Sequence, residues 1–211
     1  MLIFLEFDII ILVEYNLEDI FMKESVLYKI VRPIVSFLFK LIFRPKVIGK
    51  EKVPKSGKII LAGNHTSIFD CIFLMSITKR PIHFLAKKEL WIGPKKLIFK
   101  HMGLIPVDRK THDSTPIKIA EDYLLDDKVI GIFPEGTTEK GRGLLKFKIG
   151  AVKIAYDTKS PIIPFVIKGK YKMFSKDLKM IIGDEIKVSN DDLDIENDKF
   201  RSIIKDLMED K

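Results

Sequence analysis

The chain has 211 residues, enough for one domain, or one domain with an appendage, and for a sizeable core without covalent staples. Its single cysteine, Cys71, excludes an internal disulfide and suits a reducing compartment. A formal net charge of +8 selects anionic partners: nucleic acid, acidic lipid headgroups or phosphorylated substrates.

Residues 1 to 13 are apolar but carry Glu6 and Asp8 and lack a basic start, so they do not read as a secretory signal. Met22, followed by Lys-Glu-Ser, offers an alternative start, and nothing is built on the first 21 residues. From there to Phe43 runs an apolar-rich segment. Ser25, Lys29, Arg32, Ser36 and Lys40 recur in it at helical spacing and share one face, while Val, Ile, Leu and Phe fill the rest. A wide apolar arc with a narrow basic stripe predicts an amphipathic helix lying in a membrane interface. Packing on the protein's own core is the competing reading. The charges argue against a bilayer-spanning helix, and Pro33 is expected to kink the segment or divide it.

Beyond Pro45 the pattern alternates. Short apolar runs at Lys58 to Ala62, Ile82 to Ala86, Leu104 to Val107, Val129 to Phe133, Ile162 to Ile167 and Met180 to Ile182 predict strands covered on both faces. Helices are expected at Ser67 to Ile77, Pro94 to His101, Pro116 to Asp126, Leu145 to Asp157 and Lys199 to Met208. Such alternation predicts an α/β fold, a mixed but largely parallel sheet flanked by helices. The expected organisation is an N-terminal helical membrane-associating segment over residues 1–45 and a catalytic domain over residues 46–211.

Four segments could carry chemistry. Asn64-His65-Thr66-Ser67-Ile68-Phe69-Asp70 follows the first strand. Histidine is the side chain best placed to accept a proton near neutrality, and an aspartate on its other ring nitrogen would fix the tautomer. Residues five apart do not face each other on a continuous helix, so the pair meets only if His65 sits in the loop and Asp70 in the first helical turn. Ser67 and Asp70 read equally well as a capping box. His83, His101 and His112 have no acid at this spacing and read as structural or solvated.

Lys79, Arg80, Lys87, Lys88, Lys95, Lys96, Lys100, Arg109 and Lys110 crowd the next stretch. Within it, Gly103 to Arg109 ends in an arginine suited to clamp a phosphate, or alternatively in a plain Asp108–Arg109 surface pair. Phe133-Pro134-Glu135-Gly136-Thr137 ends a strand, placing a carboxylate, a flexible glycine and hydroxyls on the sheet's rim, or forming only a polar turn. The prolines of Pro161 to Phe165 demote that run to an edge or rim strand. Cys71, inside the helix with no evident cationic partner, reads as a small buried residue.

In this order the four segments resemble the four blocks of the glycerolipid acyltransferases, in particular the 1-acylglycerol-3-phosphate acyltransferases. The resemblance runs from about Val47 to about Ile186. It implies an O-acyltransferase moving a fatty acyl group from acyl-CoA or acyl carrier protein onto the free hydroxyl of 1-acylglycerol-3-phosphate, giving phosphatidic acid for phospholipid biosynthesis. His65 resembles the base and Asp70 its orienting partner. Arg109 looks like a ligand of the acceptor phosphate, while Glu135, Gly136 and Thr137 resemble the block that holds the glycerol-phosphate part. No metal and no organic cofactor is implied. Relatives often carry arginine directly after this block, where this chain has Thr138. Lys140 or Arg142 could substitute, and glycerol-3-phosphate, a lysophospholipid or an acyl amino-acid lipid stands as the alternative acceptor. The implied location is the cytoplasmic face of the cell membrane, peripheral or monotopic, on an anionic surface. The aromatics are mostly phenylalanines in apolar runs rather than between lysines, which argues against nucleic acid as a partner.

Overall fold

The structure is a computed structural model and describes residues 26–91, 102–108, 113–138 and 143–210. Seven strands form one sheet: β1 (Lys46–Ile48), β2 (Ile59–Gly63), β3 (Ile82–Lys87), β4 (Ile105–Val107), β5 (Val129–Ile132), β6 (Ile162–Lys168) and β7 (Lys179–Ile182). Their order is β1-β7-β6-β2-β5-β3-β4. From β6 to β4 the pairings are parallel; β7 runs antiparallel to β6 and carries β1 with it. This is the mixed, largely parallel sheet that the apolar runs predict.

β2 is buried along its whole length, and its alternate residues feed two cores. Ile59 and Leu61 face one layer, in which Phe73 and Leu74 of α2 (Asp70–Ile77) meet Tyr28, Phe39 and Phe43 of α1 (Val26–Phe43). Ile60 and Ala62 face the other, which packs α3 (Thr115–Leu125), α4 (Gly150–Thr158) and α5 (Leu193–Glu209) through residues such as Tyr123, Val152 and Phe200. The result is a three-layer α/β/α arrangement with its parallel strands ending on one edge.

Several expectations are corrected. β6 is central, between β7 and β2, although Pro161 and Pro164 suggest an edge. Pro164 is tolerated because its missing donor would point the same way as its carbonyl, which accepts from Gly183 N at 2.8 Å, just past the end of β7. β1 is a strand that sequence patterning misses. α4 begins at Gly150, so Leu145 to Ile149 is not helical, and α5 begins at Leu193, ahead of the expected Lys199. The helix expected at Pro94 to His101 lies outside the described residues.

α1 is a single helix of 18 residues with Pro33 inside it; Pro33 does not divide it. Tyr28, Phe39 and Phe43 are buried against α2, whereas Ile30, Ile34, Phe37, Leu38 and Leu41 remain exposed. One face of the segment therefore packs on the protein's own core, and the other leaves apolar side chains exposed. The basic stripe is not uniform. Lys29 and Lys40 are exposed, but Ser36 is buried, and the Arg32 guanidinium donates to the Met75 and Thr78 carbonyls at the end of α2. A cation at a helix C-terminus satisfies orphan carbonyls and suits the macrodipole. Among the described residues no helix is long and apolar enough to cross a membrane.

Candidate active site

The parallel strands deliver their C-terminal loops to one edge, where open α/β sheets bind ligands. His65 follows β2, Glu135 follows β5, and the loop from Gly169 follows β6. Close packing of β2 on β6 depends on Gly63, since a Cβ there would fall 2.0 Å from the Phe165 carbonyl oxygen. The next residue, Asn64, is buried and pairs with the Ile167 backbone in both directions, at 2.9 and 2.7 Å. That clamp directs the chain sharply out of the sheet at His65.

The loop turns back on itself so that His65 Nδ1 lies 2.8 Å from Asp70 Oδ2. Asp70 is fully buried and opens α2. Its Oδ2 also accepts from Thr66 N at 2.6 Å and Ser67 N at 2.9 Å; Oδ1 accepts from Thr66 Oγ1 at 3.1 Å and from the Tyr171 hydroxyl. A buried carboxylate is tolerated when its lone pairs are met this fully. Capping and orienting are thus one arrangement: the carboxylate that caps the loop also holds the imidazole. Ser67, expected as the N-cap, makes no side-chain cap; Phe69 holds that position, and Phe69 N donates to Ser67 Oγ at 3.3 Å.

The donors around Asp70 are backbone amides and hydroxyls, so it acts as a carboxylate acceptor. His65 consequently carries its proton at Nδ1, leaving the Nε2 lone pair as the basic one. The ring stacks on Phe133, with centroids 4.0 Å apart and planes 14° apart, and its side chain keeps 18% of its surface exposed. The dyad is oriented, held on both faces of the loop, and still reachable.

Glu135 ties this loop to the next segment. Its Oε1 accepts from His65 N at 2.9 Å and its Oε2 from Leu145 N at 3.1 Å. The carboxylate expected to bind a ligand hydroxyl therefore has a structural duty as well. Gly136 has φ of 68°, in the left-handed region, where glycine escapes the Cβ penalty. The Lys148 side chain lies against it, 3.1 Å from where a Cβ would stand. Thr137 follows, half-buried.

Arg109 lies outside the described residues, as do Lys140 and Arg142. Asp108, the last described residue before it, sits beyond β4 with Lys88 Nζ 3.6 Å from its carboxylate. The linear basic cluster is divided by β3. Lys87 and Lys88 stand at its C-terminal end, on the edge shared with His65. Lys79 and Arg80 precede it at the far edge, where Arg80 donates to the carbonyls of Pro54, Gly57 and Asp127. His83 is structural as expected, with Nδ1 2.9 Å from the Gly103 carbonyl oxygen. Cys71 is half-buried, and desolvation, then the adjacent Asp70 charge, pushes its thiol up to about 12, which disfavours the reactive thiolate. Among the described residues no three His, Cys, Asp or Glu side chains gather as metal ligands. The backbone N–H groups of Thr66 and Ser67 are committed to Asp70.

Tyr171 is the site residue that sequence reading misses. It lies 101 positions from Asp70, and no local pattern marks it.

A buried carboxylate bonded to a reachable histidine at the carboxyl edge of a parallel sheet is an arrangement suited to proton transfer at a hydroxyl or similar group. The family model described as Acyltransferase matches residues 44–168, and the chain belongs to that family. A 1-acyl-sn-glycerol-3-phosphate acyltransferase of Bacillus subtilis is 32% identical over 169 residues, spanning 76% of this chain and 82% of its own length. The alpha enzyme of that name from Mus musculus is 32% identical over 137 residues, 63% of this chain; the chain spans 48% of that relative's length. The crystal structure of the 1-acyl-sn-glycerophosphate (LPA) acyltransferase PlsC from Thermotoga maritima superposes with a TM-score of 0.65, covering 92% of this chain and 95% of that one, at 18% identity. That likeness speaks for the fold.

Proposed function

We propose that the protein is an O-acyltransferase that moves a fatty acyl group from acyl-CoA or acyl carrier protein to the free hydroxyl of 1-acylglycerol-3-phosphate, forming phosphatidic acid. The observation that carries this reading is the fully hydrogen-bonded Asp70 carboxylate holding Nδ1 of a His65 ring that remains partly exposed. The names of the relatives supply the acceptor. Nε2 takes the hydroxyl proton as the oxygen attacks the thioester carbonyl. The C–O bond forms, the C–S bond breaks, and the imidazolium returns the proton to the leaving thiolate. Because the thioester is already activated, no acyl-enzyme is needed. Asp70 stabilises the transient imidazolium by its charge.

Arg109 is assigned to the acceptor phosphate, and Glu135, Gly136 and Thr137 to the rim that receives the glycerol backbone. The enzyme is placed peripherally on the cytoplasmic face of the cell membrane. Its acceptor is a lipid; Ile30, Ile34, Phe37, Leu38 and Leu41 of α1 are exposed, as are Ile68 and Phe69 in the dyad's own loop. Phe69 is tied to α1 through the buried Phe43, with ring centroids 5.6 Å apart.

One observation favours a related acceptor: Thr138 stands where relatives often carry arginine. Purified protein offered one acyl-CoA with a panel of acceptors tests the choice. The expected result is greatest turnover with 1-acylglycerol-3-phosphate. Greater turnover with glycerol-3-phosphate, a neutral lysophospholipid or an acyl amino-acid lipid transfers the assignment to that acceptor.

A further inference from the structure

The Asp70 carboxylate receives its donors from two places. Four belong to its own loop: His65 Nδ1, Thr66 N, Thr66 Oγ1 and Ser67 N. The fifth, the Tyr171 hydroxyl, comes from the loop after β6. Local donors alone would leave the carboxylate free to rock with the loop, because they all move together. Tyr171 ties it to a separate element.

Tyr171 is itself firmly seated. Its ring meets Phe43 edge-on at 5.6 Å and 88°, Phe39 at 6.2 Å and 62°, and Phe69 at 5.6 Å. The loop carrying it is pinned to α1 by a hydrogen bond from Phe174 N to the Ile42 carbonyl at 2.6 Å. Gly169, with φ of 85°, turns the chain out of β6 towards this seat. Such aromatic contacts fix ring position, and the hydroxyl follows.

We propose that Tyr171 is a positioning residue for the dyad: its hydroxyl fixes the Asp70 carboxylate, and through it the imidazole of His65. This rests on the reading of His65 as the base. The Tyr171 phenol is suited to donate, since burial and then the charge of Asp70 raise its titration far above neutrality and keep it protonated. Glu135 also faces the loop, its carboxylate accepting from the His65 backbone N–H.

Tyr171→Phe keeps the ring and its aromatic seat while removing one donor, so it separates positioning from packing. The expected result is a fall in kcat of roughly tenfold, with the KM of both substrates within about a factor of two, consistent with losing one hydrogen bond to a charged group. A second readout needs no turnover: in histidine-labelled protein, the downfield proton at His65 Nδ1, assigned by its disappearance in His65→Ala, should shift in Tyr171→Phe. An unmoved resonance with unchanged kcat overturns the proposal. So does a loss of activity matched by loss of folded protein, or one expressed only in KM. If His65→Ala remains active, the reading of the base fails, while the Nδ1 resonance still decides whether Tyr171 positions the pair.

Discussion

Replacing Asp70 with Asn separates what the carboxylate does for the fold from what it does for chemistry. The amide can place its oxygen where Oδ2 stands, still accepting from His65 Nδ1, Thr66 N and Ser67 N. Its NH2 group then faces Thr66 Oγ1 and the Tyr171 hydroxyl, both of which can rotate to accept. The geometry and the tautomer survive, and the charge does not. Hydrogen bonds to a charged acceptor exceed neutral ones by about 1 kcal/mol each, so several weakened together should cost about 2–3 kcal/mol of stability. In a domain of this length, that lowers the melting temperature by about 5–10 °C. Without the carboxylate charge the imidazolium is no longer stabilised, and turnover should fall by about two to three powers of ten. Thiol release from an acyl-CoA, normalised to the folded fraction from the melting curve, reads both effects. If Asp70→Asn lowers the melting temperature while folded molecules turn over at the parental rate, Asp70 only caps its loop and the base assignment is wrong.

Three further perturbations follow from the same residues. Arg109→Ala should raise the KM of the acceptor far more than that of the donor, and Arg109→Lys should recover only part of the loss because the bidentate fork is gone; equal effects on both substrates would remove the phosphate assignment. On α1, Lys29→Glu with Lys40→Glu should weaken co-sedimentation with anionic vesicles more than with neutral ones, at roughly 1 kcal/mol per cation replaced near the surface. Phe37→Ser with Leu38→Ser should weaken both, because apolar burial contributes about 25 cal/mol per Å²; parental sedimentation of both variants would place the membrane contact elsewhere. Arg32 is left intact in that test, since its contacts with the end of α2 would confound it. Cys71, with its thiol raised to about 12, should resist alkylation in folded protein at pH 8 and react progressively faster as pH climbs towards that value; rapid modification at pH 7, measured by mass spectrometry, would contradict the raised thiol.

Most of the sheet was legible because its strands are short, doubly covered apolar runs, of which β2 is the clearest case. β6 was misplaced for a physical reason: proline forbids a ladder donor, but whether a donor is needed depends on where the neighbouring strand ends, which sequence does not reveal. β1, three residues long and half-exposed, has no apolar run to mark it. His65 and Asp70 were legible because both lie in one loop. Tyr171 was not, because its contact with Asp70 depends on the adjacency of β6 and β2. Glu135 was found but only half understood: its position at the rim follows from the strand before it, while its pairing with His65 N requires the adjacency of β5 and β2.

The central claim is that His65 takes the acceptor's proton during acyl transfer. Its most direct test compares parent and His65→Ala protein, both shown folded by their melting curves, for formation of phosphatidic acid from a fatty acyl thioester and 1-acylglycerol-3-phosphate. The account predicts a loss of turnover of about two to four powers of ten, with the melting temperature little changed. Folded His65→Ala protein that forms phosphatidic acid at the parental rate would contradict it.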